Sequence, residues 1–92
     1  MWEGWKKYVD EDSHKRYQLL VVSGSVEVLL VVYLDRKETE PSTWGVLITA
    51  FNPGAGEYIL YEGTFSDFAE AEAKAWEEAQ SVRASYDKTG QS

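Results

Sequence analysis

The chain has 92 residues, of which 43% are apolar, 27% charged and 14% aromatic, the balance of one folded globular domain rather than of a disordered tail or a fibre. It contains no cysteine, so disulfides, thiolate metal sites and cysteine nucleophiles are excluded together, which suits a reducing cytoplasm. Sixteen acidic against nine basic residues give a net charge of -7, steepest in residues 43–92, where three basic residues meet eight acidic ones, so the positive footprint that grips phosphates is missing.

The first residues, Met1-Trp2-Glu3-Gly4-Trp5, lack the basic and apolar regions of a secretory signal. Trp5-Lys6-Lys7-Tyr8-Val9 reads as a first strand in preference to a short helix with Trp2, Trp5 and Val9 on one face. The polar cluster at residues 10–16 reads as a loop, followed by a β-branched run at 17–22. Ser23-Gly24-Ser25 then makes a hairpin turn into the strongest strand, residues 26–34. This greasy region is interrupted by the turn and by Glu27, and it is shorter than the roughly 20 residues of a membrane-spanning helix, so a cytoplasmic location is expected.

A charged connection at 35–42 leads to a strand at 43–51, and Asn52-Pro53-Gly54-Ala55-Gly56 turns the chain into another at 57–62. At Ser66, a capping residue type, the period changes from two to that of a helix, predicted over 66–86. Phe68, Ala75, Trp76, Ala79, Val82 and Tyr86 fall on one side of it, with Asp67, Glu70, Lys74, Glu77, Glu78 and Ser81 opposite. The fold expected is therefore α+β, with two layers: a sheet of four to five antiparallel strands joined by hairpins, and one C-terminal amphipathic helix packed on one face. It forms a single domain over 1–87 with a flexible tail at 88–92.

One helix covers one face of a sheet, yet both faces of these strands are apolar. Leu29, Val31, Tyr33, Leu47, Phe51, Ile59 and Tyr61 oppose the core-facing set, and a second apolar face needs a cover. A homodimer is the expected cover. The alternatives are a lid made by Trp2, Trp5 and Tyr8 and a standing surface for a different partner.

Candidate chemistry is sparse. His14 lies among Asp10, Glu11 and Asp12, but the cluster misses the calcium-loop spacing and sits on a poor frame for metal, so it reads as a solvated loop. Asp67, Glu70, Glu77 and Glu78, joined by Glu57 and Glu62, form an expected acidic surface for a protein partner with a basic, nucleic-acid-binding groove. Glu72 and Arg83 flank the apolar stripe as rim charges. Lys6, Lys7, Lys15, Arg16, Arg36 and Lys37 are the contacts of an alternative nucleic-acid-binding reading if they gather on one edge. A second alternative is a small-ligand pocket at a dimer seam lined by Tyr33, Phe51 and Tyr61. The glycines of the 52–56 turn join two strands rather than a strand to a helix, which is wrong for a phosphate cradle, and no serine lies in a nucleophile elbow.

The expectation is thus a small acidic binding protein without catalytic residues, metal or cofactor. In outline, with Trp44-Gly45-Val46, Gly63-Thr64-Phe65 and the Ala69/Ala73/Ala79 helix, it is similar to small phage-encoded accessory proteins whose short sheet is closed by an Ala/Glu-rich helix. Some of those inhibit bacterial defence systems, so an inhibitor that occupies a basic surface is what the likeness implies. It is a likeness of shape, not membership of a family.

Overall fold

Five strands follow one another along the chain and one helix comes after them: β1 (Lys6–Glu11), β2 (His14–Ser23), β3 (Val26–Lys37), β4 (Thr43–Asn52), β5 (Gly56–Phe65) and α1 (Phe68–Gly90). The structure, a computed structural model, describes residues 2–23, 26–38 and 41–90. Each strand pairs antiparallel with the next in the order β1-β2-β3-β4-β5, a meander with α1 packed on one face, which is the α+β arrangement expected. No helix among the described residues is long and apolar enough to cross a membrane.

The polar cluster at 10–16 is not a loop. β1 runs to Glu11 and β2 starts at His14, leaving Asp12 and Ser13 as the turn. Paired between the edge strand β1 and the start of β2, these polar residues keep side chains in water and need no core position. β3 likewise continues through Asp35, Arg36 and Lys37, whose backbones pair with Gly45, Trp44 and Thr43. The turn expected at Ser23-Gly24-Ser25 falls at Gly24 and Ser25 on residues outside those described, as do residues 39–40 of the charged connection. At the β4–β5 turn the Asn52 carbonyl accepts from the Ala55 N–H, its side-chain Oδ1 accepts from the Gly54 N–H, each at 2.9 Å, and Gly56 takes φ +89°.

The core lies between the sheet and α1. Val28, Leu30, Val32 and Leu34 of β3 stand beside Val46, Ile48 and Ala50 of β4, with Tyr17 and Val21 of β2 completing the layer. From the helix, Ala71, Ala75 and Ala79 are all 0% exposed, four residues apart on one stripe. Alanine carries only a methyl beyond the backbone, so this stripe lets the helix backbone lie close on the sheet. Larger residues flank it: Phe68 packs on Trp44 at 4.7 Å between ring centroids, and Trp76 on Trp2 at 5.3 Å.

The helix is capped by Asp67, not by Ser66. Asp67 Oδ1 accepts the Glu70 N–H at 2.8 Å, while the Ser66 hydroxyl donates to Glu70 Oε2 at 3.4 Å. The helix then runs on through residues 88–90 of the expected tail.

The N-terminal segment packs on the same side as α1. The Trp2 ring stacks on Tyr17, 4.1 Å apart and nearly parallel, and meets Trp5 edge-on at 5.8 Å. A tight turn holds it, with the Trp5 N–H donating to the Trp2 carbonyl and both Trp2 (φ +65°) and Gly4 (φ +84°) left-handed. Trp2 and Trp5 therefore do not form a lid over the second face of the sheet, because the aromatic surface offered by Tyr17 and Trp76 lies on the helix side.

If the alanine stripe sets the helix–sheet distance, Ala75→Leu must push the layers apart and cost about 1–3 kcal/mol, whereas Ala73→Leu on the exposed side stays within about 0.5 kcal/mol. Urea denaturation followed by circular dichroism separates the two, and equal midpoints for both variants would show that the stripe does not set the spacing.

Candidate functional site

Strand register builds the face away from α1 in rows. Leu20, Leu29 and Phe51 stand side by side across β2, β3 and β4, with Glu57 beyond them on β5. Gln18, Val31, Thr49 and Ile59 form the next row, with Lys6 beside Gln18 on β1. Arg16, Tyr33, Leu47 and Glu62 form the third. Leu29, Val31, Tyr33 and Leu47 are half-buried by their neighbours, but Leu20 is 56%, Phe51 41% and Ile59 60% exposed. Thr49 is buried among them, and its hydroxyl finds no hydrogen-bond partner among the described residues.

Six of the seven residues expected on this face are brought together. Tyr61 is not. The pairs Ile48–Tyr61 and Thr49–Ile59 leave Leu60 as an extra residue in β5, and this bulge turns Tyr61 to the helix side, opposite Ile48, although simple alternation puts it with Ile59. The expected ligand seam of Tyr33, Phe51 and Tyr61 is therefore not assembled, since the three rings do not share a face. A shallow cleft of about 220 Å³ does open nearby, where Gly45 carries no side chain between Asp35, Lys37, Leu47 and Glu62. Leu20 is a member of the face that the sequence reading omits, although the alternation of Leu20 and Val22 with Val21 carries its signal.

The expected acidic surface is divided. Glu57 and Glu62 pair with Phe51 and Leu47, which places them on the open face, on the far side of the sheet from the acidic residues of α1. On the helix, Asp67 is committed to the cap. Lys74 Nζ lies 3.2 Å from Glu78 and 3.7 Å from Glu77, and the Glu78 hydrogen bond, then the Glu77 charge, raise the lysine above its ordinary value. Much of this acidic surface thus serves the helix itself. Glu72 is half-buried, and the Arg83 guanidinium lies beside the Gly4 turn.

The six basic residues do not gather either. Lys6, Arg16 and Lys37 are on the open face, whereas Lys7, Lys15 and Arg36 share the side of Tyr17, Leu34 and Trp44. Lys15 Nζ sits 5.4 Å over the Phe68 ring and Arg16 5.0 Å over the Tyr33 ring, on opposite sides of the sheet. Consecutive residues of a strand cannot join one groove.

His14, expected in a solvated loop, is a strand residue held between carboxylates: Nε2 is 3.2 Å from Glu11 and Nδ1 3.3 Å from Asp35. The contact with Asp35 has charge-pairing distance without hydrogen-bond alignment. Among the described residues no group of three or more side chains is placed to hold a metal ion. On the helix side, the Tyr58 and Tyr86 hydroxyls meet at 3.0 Å, joining the end of α1 to β5. Burial, then the bond to Tyr58, pushes Tyr86 up from 10.0 to about 12.

Compared with known protein-family models, curated proteins and solved structures, the chain matches none.

Two outcomes follow from the assigned contacts. Asp67→Ala loses a cap and lowers stability by about 1 kcal/mol in thermal denaturation, while Glu77→Ala, at an exposed pair, changes it by less than about 0.5 kcal/mol. The folded state favours neutral Tyr86, so its contribution to stability is complete below pH 10 and is lost as pH rises from 10 towards 12. Absorbance titration at alkaline pH should show one tyrosine ionising last and Tyr58→Phe bringing it down. An unchanged titration curve in that variant removes the assigned role of Tyr58.

Proposed function

We propose that this is a non-enzymatic binding protein that acts through protein–protein contact, and that the open face of the sheet is its contact surface. The observation that carries the reading is the row structure of that face. Leu20, Phe51 and Ile59 stand exposed around the half-buried Leu29, Val31, Tyr33 and Leu47, on strands whose backbone pairing fixes their spacing. A continuous apolar centre with charged residues at its margins is the anatomy of a protein interface.

The acidic helix surface supports a recognition role less well. Asp67 caps the helix, Glu77 and Glu78 face Lys74, and Glu57 and Glu62 belong to the other side of the molecule. A partner with a basic groove would meet on α1 only part of the charge that the sequence totals promise.

A photo-crosslinking amino acid tests the assignment, placed in living cells at position 59 in one variant and at position 77 in another. The expected result is a protein adduct from position 59 and none from position 77. Adducts from position 77 alone would move the contact to the acidic helix, and the absence of adducts from both positions would refute the reading.

A further inference from the structure

The open face is charged in a way that selects its occupant. Across the three apolar rows its β1–β2 margin carries Lys6 and Arg16 and its β5 margin carries Glu57 and Glu62, while Glu27 lies beyond the first row and Glu11, His14, Asp35 and Lys37 lie beyond the third. Adjacent strands are about 4.8 Å apart, so Arg16 and Glu62, three strands apart in one row, are about 14 Å from each other and do not pair within a chain. Within these three rows one margin is the electrostatic complement of the other.

We infer that the occupant is a second copy of this chain, packed face to face about a twofold axis that runs along the strands between β3 and β4. The inference rests on the reading of this face as the contact surface. Rotation about that axis keeps each row in register while exchanging left for right. β2 then faces β5 of the second copy and β3 faces its β4. In the third row Arg16 meets Glu62 of the second copy, and Tyr33 meets its Leu47. In the second row Val31 lies over Thr49 and Gln18 over Ile59, and in the first Leu29 lies over Phe51. Every one of these contacts occurs twice, as a twofold interface requires.

An axis running across the strands instead lays β2 on β2 and β5 on β5, bringing like-charged margins together, which costs several kcal/mol for close like charges. The lengthwise axis is the one that the charges permit. It also matches the aligned packing of two twisted sheets, about 10 Å apart and offset by about 30°. Four strands about 19 Å wide and ten residues, about 34 Å, long offer roughly 650 Å² per copy before side-chain relief, close to the ~800 Å² each partner gives to a standard interface. In this arrangement the two α1 helices lie outermost, and Lys6 overhangs the neighbour's β5 margin near Glu57.

Sedimentation velocity across a hundredfold dilution tests the inference, with Arg16→Glu and Glu62→Arg prepared separately. The wild type should sediment at twice the 10.5 kDa chain mass. Each single variant places like charges at both ends of the interface and should dissociate at concentrations at least about tenfold higher. Mixing the two variants should restore the dimer, because in the mixed pair each end of the interface again sets one carboxylate against one guanidinium. A mixture that sediments as monomer, or a wild type that is monomeric throughout, overturns the inference.

The crosslinker at position 59 supplies a measurement that does not depend on the charge variants. The second copy should be captured at or next to Gln18. An adduct at position 59 to a different polypeptide, from a chain that is monomeric alone, overturns the second copy while keeping the open face as a contact surface. Absence of any adduct from that position overturns both.

Discussion

The contact between three alanine methyl groups and the middle of the sheet decides how this molecule is put together. Ala71, Ala75 and Ala79 are fully buried in one core with Leu30, Val32, Ile48 and Ala50 of the sheet. Because the stripe is so thin, the helix comes near enough for its flanking side chains to reach outwards over the sheet. Trp76 meets Trp2 above β2, Phe68 meets Trp44, and Tyr86 reaches Tyr58 on β5. A bulkier stripe would hold the helix away and leave these outer contacts open. The arrangement concentrates burial on one side of the sheet and leaves apolar residues of the other side exposed or half-buried.

That division of labour organises the charge as well. Carboxylates at the start of α1 stabilise its exposed N–H groups, and those further along hold Lys74. Those of β5 stand at the border of an apolar field. A net charge of -7 therefore does not describe one acidic surface. It is the sum of local tasks performed on two sides of a thin molecule, and across the apolar rows of the open face Lys6 and Arg16 stand on the margin opposite Glu57 and Glu62.

The element types were legible in the sequence because each rests on local signals. Apolar runs rich in β-formers marked β3 and β4, Asn52-Pro53-Gly54 marked their neighbour's turn, and the Ala/Glu-rich run marked α1. The apolar second face was legible for the same reason. What alternation cannot register is a single inserted residue: the bulge at Leu60 reverses the side of Tyr61 without leaving a compositional trace. The cap was ambiguous because Ser66 and Asp67 are both capping types, and one residue of phase decides between them. The separation of Glu57 and Glu62 from the helical carboxylates depends on which side of the sheet the helix takes. His14 between Glu11 and Asp35 depends on the β2–β3 register, a non-local pairing.

The aromatic cluster at the start of the chain has a spectroscopic consequence. Trp2, Trp5 and Trp76 lie within one group of touching rings, and Trp44 is packed against Phe68, all on the helix side. Indole emission from this protein is therefore an internal gauge of whether the N-terminal turn and α1 are docked. Rings held edge-on at such separations also couple optically, giving the near-ultraviolet dichroism of a fixed pair. The open face contributes no tryptophan to that signal, so an event confined to it passes unseen in intrinsic fluorescence. A reporter for that side has to be introduced, and Phe51, already an aromatic ring there, is the position at which an indole substitutes with the least change of shape.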